Sequence, residues 1–468
     1  MELYKDKIGQ IFFALSILML IYMLLSPLTQ VIGNVGEYFT LTVIHFPVSD
    51  IIHISGGDVN PPLYYLLLKV VSRISSDLTI LKLFSVIPYA LLITVSTVKI
   101  RKDYNWFTAG LFIFSMALMS EFFTNFLLLR PYGWATLFTI MAFLYLKDLL
   151  SDEIDLRSVI FFSIYCVLAS YCHYFAIFTS ICLYMAFLVY RVRYCDDEHK
   201  YFLIALAIGI ILYLPWISTA FTILGSVNGL ATLDIIQSLT YFAYTGNGII
   251  GIISLLIFAA ITYIYLKSSA EDKIYVYSGI GAYFGTVIIA LIISAFKPII
   301  VGGALLPASG ILLLTIAIMI SKLEDKMFLI ALALMIILLI SGFAASIASA
   351  DSLYQDGLKQ KEVFDSISQD SDSSIIIDSP GAIMYFLYYS NSIDTYALDL
   401  DYVYGENMNR THKLFNFEDI NHNDIKSFAT KNPDKNIYLI NWGKPDIDIG
   451  TSEIFSNDKF VISKINNG

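Results

Sequence analysis

Charged side chains are scarce in this sequence, and its net charge is negative, which is unfavourable for binding nucleic acid. Only 15% of the 468 residues are Asp, Glu, Lys or Arg, whereas 57% are apolar. The mean hydropathy is +0.70. Soluble globular proteins have an apolar share nearer half. The formal charge of −10 excludes a broadly basic surface of the kind that nucleic acids require. The composition therefore predicts a polytopic membrane protein.

Signatures of several other protein classes are also missing. There is no Gly-Lys-Ser/Thr loop for phosphates and no Gly-x-Ser-x-Gly elbow for a nucleophilic serine. His45 and His53 could join Glu37 or Asp58 around a metal ion, but no tight histidine pair is present, so a divalent cation is left open. The few cysteines follow no disulfide or zinc spacing, and we interpret them as buried structural thiols. They are Cys166, Cys172, Cys182 and Cys195.

Long apolar runs predict about eleven transmembrane helices. The runs are 8–25, 78–98, 106–119, 132–146, 158–171, 175–190, 202–217, 249–265, 275–295, 301–320 and 327–348. With the N-terminus in the cytoplasm, fourteen Lys and Arg residues fall in inner connections and five in outer ones. Basic residues flank the cytoplasmic ends of spans, so this asymmetry predicts the orientation. The C-terminal region then lies outside the cell membrane.

The composition changes after the last apolar run. Residues 351–468 hold 10 Lys and Arg against 19 Asp and Glu, whereas the preceding residues hold 19 against 20. Short β-rich runs at 374–378, 436–441 and 460–465 alternate with helical patterns at 353–368, 380–389 and 417–431. This alternation is typical of an α/β domain. We therefore predict a transmembrane domain at 1–349, with a first outer loop at 28–77, and an extracytoplasmic α/β domain at 350–468.

Four short motifs stand at outer ends of the predicted spans, and together they resemble a known family. They are Gly36-Glu37-Tyr38, Asp58-Val59-Asn60-Pro61-Pro62-Leu63-Tyr64-Tyr65, Arg130-Pro131-Tyr132 and His173-Tyr174-Phe175. In order and spacing they resemble the integral-membrane GT-C glycosyltransferases, in the branch of protein O-mannosyltransferases and the lipid A aminoarabinose transferase. The resemblance implies a GT-C fold and a sugar donor linked to a polyprenyl phosphate.

Sugar transfer from a lipid phosphate to a hydroxyl requires a base for the acceptor proton and positive charge for the departing phosphate. Glu37 is our candidate base, because the resemblance implies a catalytic acid in the first outer loop. The alternative is a solvated loop glutamate. Family members often have Asp-Glu at this point, whereas this chain has Gly36 before the glutamate.

Residues around the double proline are candidates for binding substrate. Asp58 is interpreted either as a turn acid or as a contact to sugar or acceptor hydroxyls, and Asn60 stands where many relatives have histidine. Tyr64 and Tyr65 fit a sugar-stacking position, but an aromatic belt at the membrane boundary predicts tyrosines there too.

Arg130 is the most informative cation, because a guanidinium at the end of an apolar run is costly without an anion. The resemblance favours a lipid phosphate as that anion, because Tyr132 follows in the Arg-x-Tyr spacing of the family. The alternative is an arginine that snorkels to water or pairs with Glu121. His173 and Tyr174 form a short outer turn that could orient phosphate or acceptor. Lys297 ends the ninth span and is a further candidate phosphate contact.

Three function classes remain open from the sequence. The favoured one is a glycosyltransferase, inverting by direct attack, that acts on a protein, lipid or glycan acceptor at the cell membrane. A transporter or flippase of lipid-linked sugars would place ionisable residues deep in the spans. A non-catalytic assembly protein would leave the first outer loop and Arg130 without a role.

Overall fold

Helices make up most of the chain, and a small sheet lies near the C-terminus. The computed structural model describes residues 2–58, 60–119, 121–151, 153–195, 199–226, 234–243, 245–268, 270, 272–368, 373–377, 394–398, 418–420, 424–442, 450–456 and 460–465. The helices are α1 Glu2–Leu24, α2 Val35–Val43, α3 Val48–Ser55, α4 Leu63–Ser72, α5 Leu78–Val95, α6 Arg101–Asp103, α7 Trp106–Leu118, α8 Phe122–Leu127, α9 Tyr132–Leu149, α10 Leu156–Cys172, α11 Phe175–Tyr194, α12 His199–Ser226, α13 Ile235–Leu239, α14 Gly248–Leu266, α15 Lys273–Ser294, α16 Leu306–Ser321, α17 Asp325–Ser368 and α18 Ile425–Lys431. The strands are β1 Ser373–Ile377, β2 Asp394–Leu398, β3 Glu418–Ile420, β4 Asn436–Trp442, β5 Thr451–Ser456 and β6 Phe460–Ile465.

Seven helices in the described part of the chain are long and apolar enough to cross a membrane: α1, α5, α11, α12, α14, α15 and α17. Each coincides with a predicted span. The other four predicted spans are also helical, as α7, α9, α10 and α16. The chain is therefore a multi-pass helical membrane protein.

The chain divides into two compact units, at Thr29/Gln30, Gly57/Asp58 and Ala350/Asp351. The first unit holds Met1–Thr29 and Asp58–Ala350, and the second holds Gln30–Gly57 and Asp351–Gly468. The predicted first outer loop, 28–77, is thus divided between them. Our domain boundaries at 349 and 350 stay predictions.

Helix α16 is the centre of the first unit. All sixteen of its residues are buried, and it packs against α7, α9, α14 and α15. Its sequence is apolar all round, which is the pattern of a helix with no solvent-facing side. Around it, α9 packs on α10, α10 packs on α12, and α11 packs on α15.

A close approach of two backbones joins α1 to α7. A Cβ atom added to Gly110 would lie 2.0 Å from the Gly9 carbonyl oxygen, and one added to Gly9 would lie 2.3 Å from the Trp106 carbonyl. Only glycine allows such proximity. Small residues at helix crossings are typical of membrane proteins, where tight packing replaces the hydrophobic effect between helices.

The second unit contains the sheet. Its strand order is β3-β2-β1-β4-β6-β5, with β1 to β4 parallel and β6 antiparallel to both β4 and β5. Ile376, Ile437 and Leu439 form its buried core with Ile425 of α18. The predicted strands at 374–378, 436–441 and 460–465 correspond to β1, β4 and β6. The predicted helix at 380–389 lies outside the described residues.

Two differences from the expected elements concern the tail. The predicted helix at 353–368 is not separate, because α17 runs without interruption from Asp325 to Ser368. Within the predicted helix at 417–431, the described residues include the strand Glu418–Ile420 and the helix Ile425–Lys431. In the same unit, α2 packs against the end of α17, where the Tyr38 hydroxyl donates to Gln360 Oε1 at 3.3 Å.

Candidate active site

A cavity of about 490 Å³ lies within the first unit. Its walls are apolar side chains from α10, α11 and α12, and one end is polar. The polar end consists of Asn60, Arg130, Tyr132, His173 and Tyr174, all of which were candidate binding residues from the sequence. A pocket with one polar end and a long apolar wall has the composition expected for a lipid with a polar headgroup.

Arg130 occupies the polar end, immediately before α9. Pro131 precedes the first turn of α9, so the chain enters the helix directly after the arginine. The guanidinium carbon lies 5.6 Å from the centre of the Tyr132 ring, within range of a cation–π interaction. Burial acts to lower the pKa of Arg130, but Tyr132, Tyr65 and Asp58 together outweigh it and raise that pKa above its ordinary value. Arg130 is therefore a permanent cation.

His173 ends α10 and has a defined tautomer. Its Nδ1 accepts a hydrogen bond from the Phe175 amide at 3.2 Å, so in the neutral ring the proton lies on Nε2. The side chain is only 4% exposed. Burial, reinforced by the positive charge of Arg130, lowers the pKa of His173 to about 3. The imidazole is thus neutral at physiological pH and can donate one hydrogen bond through Nε2–H.

Asp58 and Tyr65 adjoin the polar end. The Tyr65 hydroxyl donates to Asp58 Oδ2 at 2.5 Å, and the same oxygen accepts from the Asn60 amide at 3.2 Å. Asp58 is therefore both a turn acid, as one interpretation expected, and a neighbour of Arg130. The Asn60 carboxamide is almost completely buried, at 1% exposed, and lines the cavity.

A second polar network, formed by Glu121, Tyr241 and Gly303, adjoins the Tyr132 ring through Gly303. It was not predicted from the sequence. Glu121 is the one residue other than glycine in the described chain with a positive φ, 57°. Its Oε2 accepts from the Tyr241 hydroxyl at 2.8 Å, and that hydroxyl oxygen accepts from the Gly303 amide. Gly303 has φ +84°, and a Cβ there would lie 2.7 Å from the Tyr132 ring. Burial raises the pKa of Glu121, against the opposing effect of the Tyr241 hydrogen bond.

The adjacent glycines Gly302 and Gly303 are the feature of the sequence that could have indicated this network. Glycine at position 303 permits both the left-handed backbone and the close approach of Tyr132. The Tyr132 hydroxyl lies at the limit of hydrogen bonding, 3.5 Å from the Gly302 carbonyl oxygen.

Helix α12 also contributes residues that the sequence did not identify. Trp216 Nε1 donates to the Tyr174 hydroxyl at 3.1 Å, and Tyr213 lines the cavity. The Tyr171 hydroxyl donates to the Leu212 carbonyl oxygen at 3.1 Å. These bonds hold α12 against the junction of α10 and α11. The combination Tyr213, Pro215 and Trp216 inside an apolar run was the available signal.

Five predicted site residues do not line the cavity: Asp58 and Tyr65, described above, and Tyr64, Lys297 and Glu37. Tyr64 is fully buried, and its hydroxyl is 2.8 Å from Ser85 Oγ. Lys297 follows the end of α15 and does not line the cavity, although Ile299 and Val301 just beyond it do. Glu37 belongs to the second unit.

Glu37 is fully buried near the start of α2. Its Oε2 accepts from the Gly33 amide at 2.7 Å, while its own amide donates to Asn34 Oδ1 at 3.1 Å. This reciprocal pattern is close to a capping box, in which a cap residue and a glutamate three positions later satisfy free amides. The solvated-loop interpretation of Glu37 is therefore wrong within this structure.

No group of three His, Cys, Asp or Glu side chains in the described residues is arranged to hold a metal ion. His45 and His53 are both exposed.

Two crystal structures share the architecture described above. ArnT from Cupriavidus metallidurans in the apo state superposes with a TM-score of 0.63 at 9% identity, over 96% of this chain and 97% of that one. ArnT from the same organism bound to undecaprenyl phosphate gives 0.58 at 8% identity, with the same coverage. This chain has the ArnT fold. The predicted GT-C fold class is thereby confirmed, including the C-terminal sheet.

Sequence comparison alone does not reach this relationship. The sequence matches no protein-family model, and no curated protein sequence matches it. At 8–9% identity the ArnT fold is shared without detectable sequence similarity. Short motifs at helix ends, rather than the apolar helices themselves, carried the resemblance.

Proposed function

We propose that this protein is a membrane glycosyltransferase that moves a sugar from a polyprenyl phosphate to a hydroxyl group of an extracytoplasmic acceptor. The observation that carries the proposal is the cavity, because it combines a permanent cation with neutral donors at one end of an apolar channel. A lipid phosphate matches both features. The ArnT structure bound to undecaprenyl phosphate supports the same class of donor.

Arg130 binds the phosphate in this proposal, with Asn60 and the Nε2–H of His173 as neutral donors. A guanidinium can donate two parallel hydrogen bonds to one phosphate. Tyr132 and Tyr174 border the headgroup, and Asp58 orients the turn through Asn60 and faces the sugar or acceptor. Lys297 and Tyr64 do not line the cavity, and we propose them as contacts to parts of the substrate beyond the phosphate.

The reaction proceeds by direct displacement. The acceptor oxygen attacks the anomeric carbon and forms the new glycosidic bond, while the bond from that carbon to the phosphate oxygen breaks. The electron pair stays on the phosphate, which leaves as polyprenyl phosphate, and the acceptor proton passes to a carboxylate, for which we propose Glu37. One displacement inverts the anomeric configuration.

Release of polyprenyl phosphate from a panel of polyprenyl-phosphate sugars tests this function. Arg130→Ala is expected to lower turnover by roughly 10²–10³, the usual effect of removing one preorganised charge-stabilising group. Arg130→Lys keeps the charge but loses the paired hydrogen bonds, so its activity should be intermediate. Arg73→Ala, at an exposed position after α4, is the matched control and should keep full activity.

The same assay separates an enzyme from a transporter or flippase. A transporter moves the intact lipid-linked sugar and releases no polyprenyl phosphate. Absence of release with every donor, from a folded protein that still binds them, would contradict the proposed function.

A further inference from the structure

The polar end of the cavity has little positive charge for a phosphate site. Among the described residues that line it, Arg130 alone is charged at neutral pH. Asp58 is close enough to raise the pKa of Arg130, so its negative charge offsets part of the guanidinium charge. Coulomb energies in a partly buried site are several times larger than in water, so this count of charges matters for binding.

His173 adds no charge to this count. Its Nδ1 is occupied by the Phe175 amide, and its pKa is about 3, so the ring stays neutral through the physiological range. The ring centre lies 5.2 Å from that of Tyr132, which places the imidazole beside the Arg130–Tyr132 pair. The histidine therefore offers a single neutral N–H.

Asn60 is the second neutral group, and its side chain faces the hydroxyl of Tyr65. Beyond that neighbour, neither its Oδ1 nor its Nδ2 reaches good hydrogen-bond geometry within the described residues, although the side chain is 99% buried. The nearby Tyr65 hydroxyl already donates to Asp58. Buried amides are normally hydrogen-bonded, and leaving one unpaired costs roughly 1–3 kcal/mol. A buried carboxamide whose hydrogen-bonding capacity is largely unused, and which lines a cavity beside a cation, points to a ligand that supplies further partners.

We propose that Asn60, by placing a neutral group where a second cation could stand, makes this site selective for a phosphate with one negative charge over a phosphate with two. This inference rests on the proposed function and deepens it. The donor is a phosphodiester and carries one charge, which Arg130 balances. The product is a phosphomonoester and carries a second charge, which finds only neutral donors in Asn60 and His173.

The consequence is selective release of the product. A second negative charge in a partly desolvated site is costly unless a cation pairs with it. A lysine at position 60 would supply that cation and hold the product. Asparagine instead provides hydrogen bonds of similar geometry without charge, so the site binds its donor and lets the spent lipid leave.

Equilibrium binding to the full-length protein in a zwitterionic detergent tests the inference. The two probes are undecaprenyl phosphate and its methyl ester, a phosphodiester with one charge and no sugar. The second ionisation of a phosphomonoester has a pKa of about 6, so binding is measured at about pH 5.5 and about pH 8. We expect the methyl ester to bind equally at both, and the monoester to bind about tenfold more weakly at the higher pH, which corresponds to one pKa unit.

Among the described residues, no titratable group near the phosphate would produce the same pH-dependent difference between the two probes. The groups facing the phosphate are Arg130, Asp58, His173 and the hydroxyls of Tyr65, Tyr132 and Tyr174, with Glu121 and the Tyr241 hydroxyl next to Tyr132 through Gly303. Arg130 stays charged and His173 stays neutral across the range, so neither produces the expected change. A titration of Asp58 or Glu121 would alter the binding of both probes together, whereas ionisation of the monoester alters only one.

Two substitutions at one position separate charge from hydrogen bonding. Asn60→Lys should abolish the preference, with the monoester at about pH 8 binding at least as tightly as the methyl ester. Asn60→Leu keeps the size without charge or donors, and it should weaken both probes by a similar factor while the preference remains. Size-exclusion chromatography and thermal unfolding establish that each variant is folded.

The possible results distinguish a failure of charge selection from a failure of the proposed glycosyltransferase function. Equal affinity of the wild-type protein for both probes at about pH 8, or an unchanged preference in Asn60→Lys, rejects charge selection and leaves the glycosyltransferase proposal intact. Failure of the wild-type protein to bind either probe rejects both.

Discussion

Glu37 has a structural role in the fold and a proposed role in catalysis. It caps the start of α2 through the Gly33 amide, and it is the proposed base. A cap needs only an oxygen acceptor, whereas a base needs a group that takes a proton. Glutamine supplies the first without the second, which makes the two roles separable.

Glu37→Gln is expected to keep the fold and lose transfer activity, by about 10²–10⁴, the usual contribution of a general base. Glu37→Ala removes the cap as well and should also lower the free energy of unfolding by about 1 kcal/mol. Product release and thermal unfolding, measured on both variants, check this. Full activity in Glu37→Gln would leave Asp58 as the carboxylate to test next.

His173 predicts a pH dependence of stability. Its pKa is lowered from 6.5 to about 3 in the folded protein, so the unfolded chain binds more protons between those values. Stability contributed by neutral His173 is therefore present above pH 6.5 and is lost as the pH falls towards about 3. His173→Gln should flatten this acid-side decline in unfolding temperature. An identical decline in the variant would assign it to other groups.

At the scale of elements, the crossing of α1 and α7 depends on the absence of side chains. Gly110→Ala places a methyl group against the Gly9 carbonyl and should lower the free energy of unfolding by roughly 1–3 kcal/mol. Gly281→Ala is the matched control, because Gly281 lies within α15, is exposed and has open space around its Cβ position. That substitution should be neutral or slightly stabilising, because alanine has the better helix propensity. Denaturant titration of both variants compares them.

Long apolar runs predicted most of the helices, because a run long enough to cross a bilayer can form few structures other than a helix. They did not show that α17 continues past Ala350, where small residues and a change to polar composition suggested a break. Strands β2 and β5 were missed because each is short and carries no strong apolar alternation. The contact of Glu121 with Tyr241 could not be recognised, because Tyr241 and Gly303, which complete the network, lie far along the chain from Glu121.

At the scale of the whole molecule, the division at Gly57/Asp58 could not be read from the sequence. The first outer loop is continuous in composition, yet its first part is grouped with the tail and its second part with the cavity. Long-range contacts decide such grouping. The cavity residues were predicted better, because Arg130, His173 and Asn60 are polar groups at the ends of apolar runs.

The predicted orientation places the tail outside the cell and the end of α11 inside. Single cysteines at the exposed positions Glu453 and Arg193 test this, in a background with Cys182 and Cys195 changed to serine. A membrane-impermeant maleimide should label the cysteine at 453 in intact cells and the cysteine at 193 only after permeabilisation. The reverse pattern would invert the topology and contradict an extracytoplasmic acceptor.

Helix α12 lines the cavity and is longer than a hydrocarbon layer is thick. Its 28 residues extend about 42 Å, more than the roughly 30 Å of a hydrocarbon layer, and only 11% of its apolar stretch is buried within the protein. A transmembrane helix longer than the hydrocarbon layer tilts to fit it, and the tilt increases in a thinner bilayer. Because α12 forms one cavity wall, the width available to a ligand is set jointly by the protein and by the thickness of the bilayer that holds it.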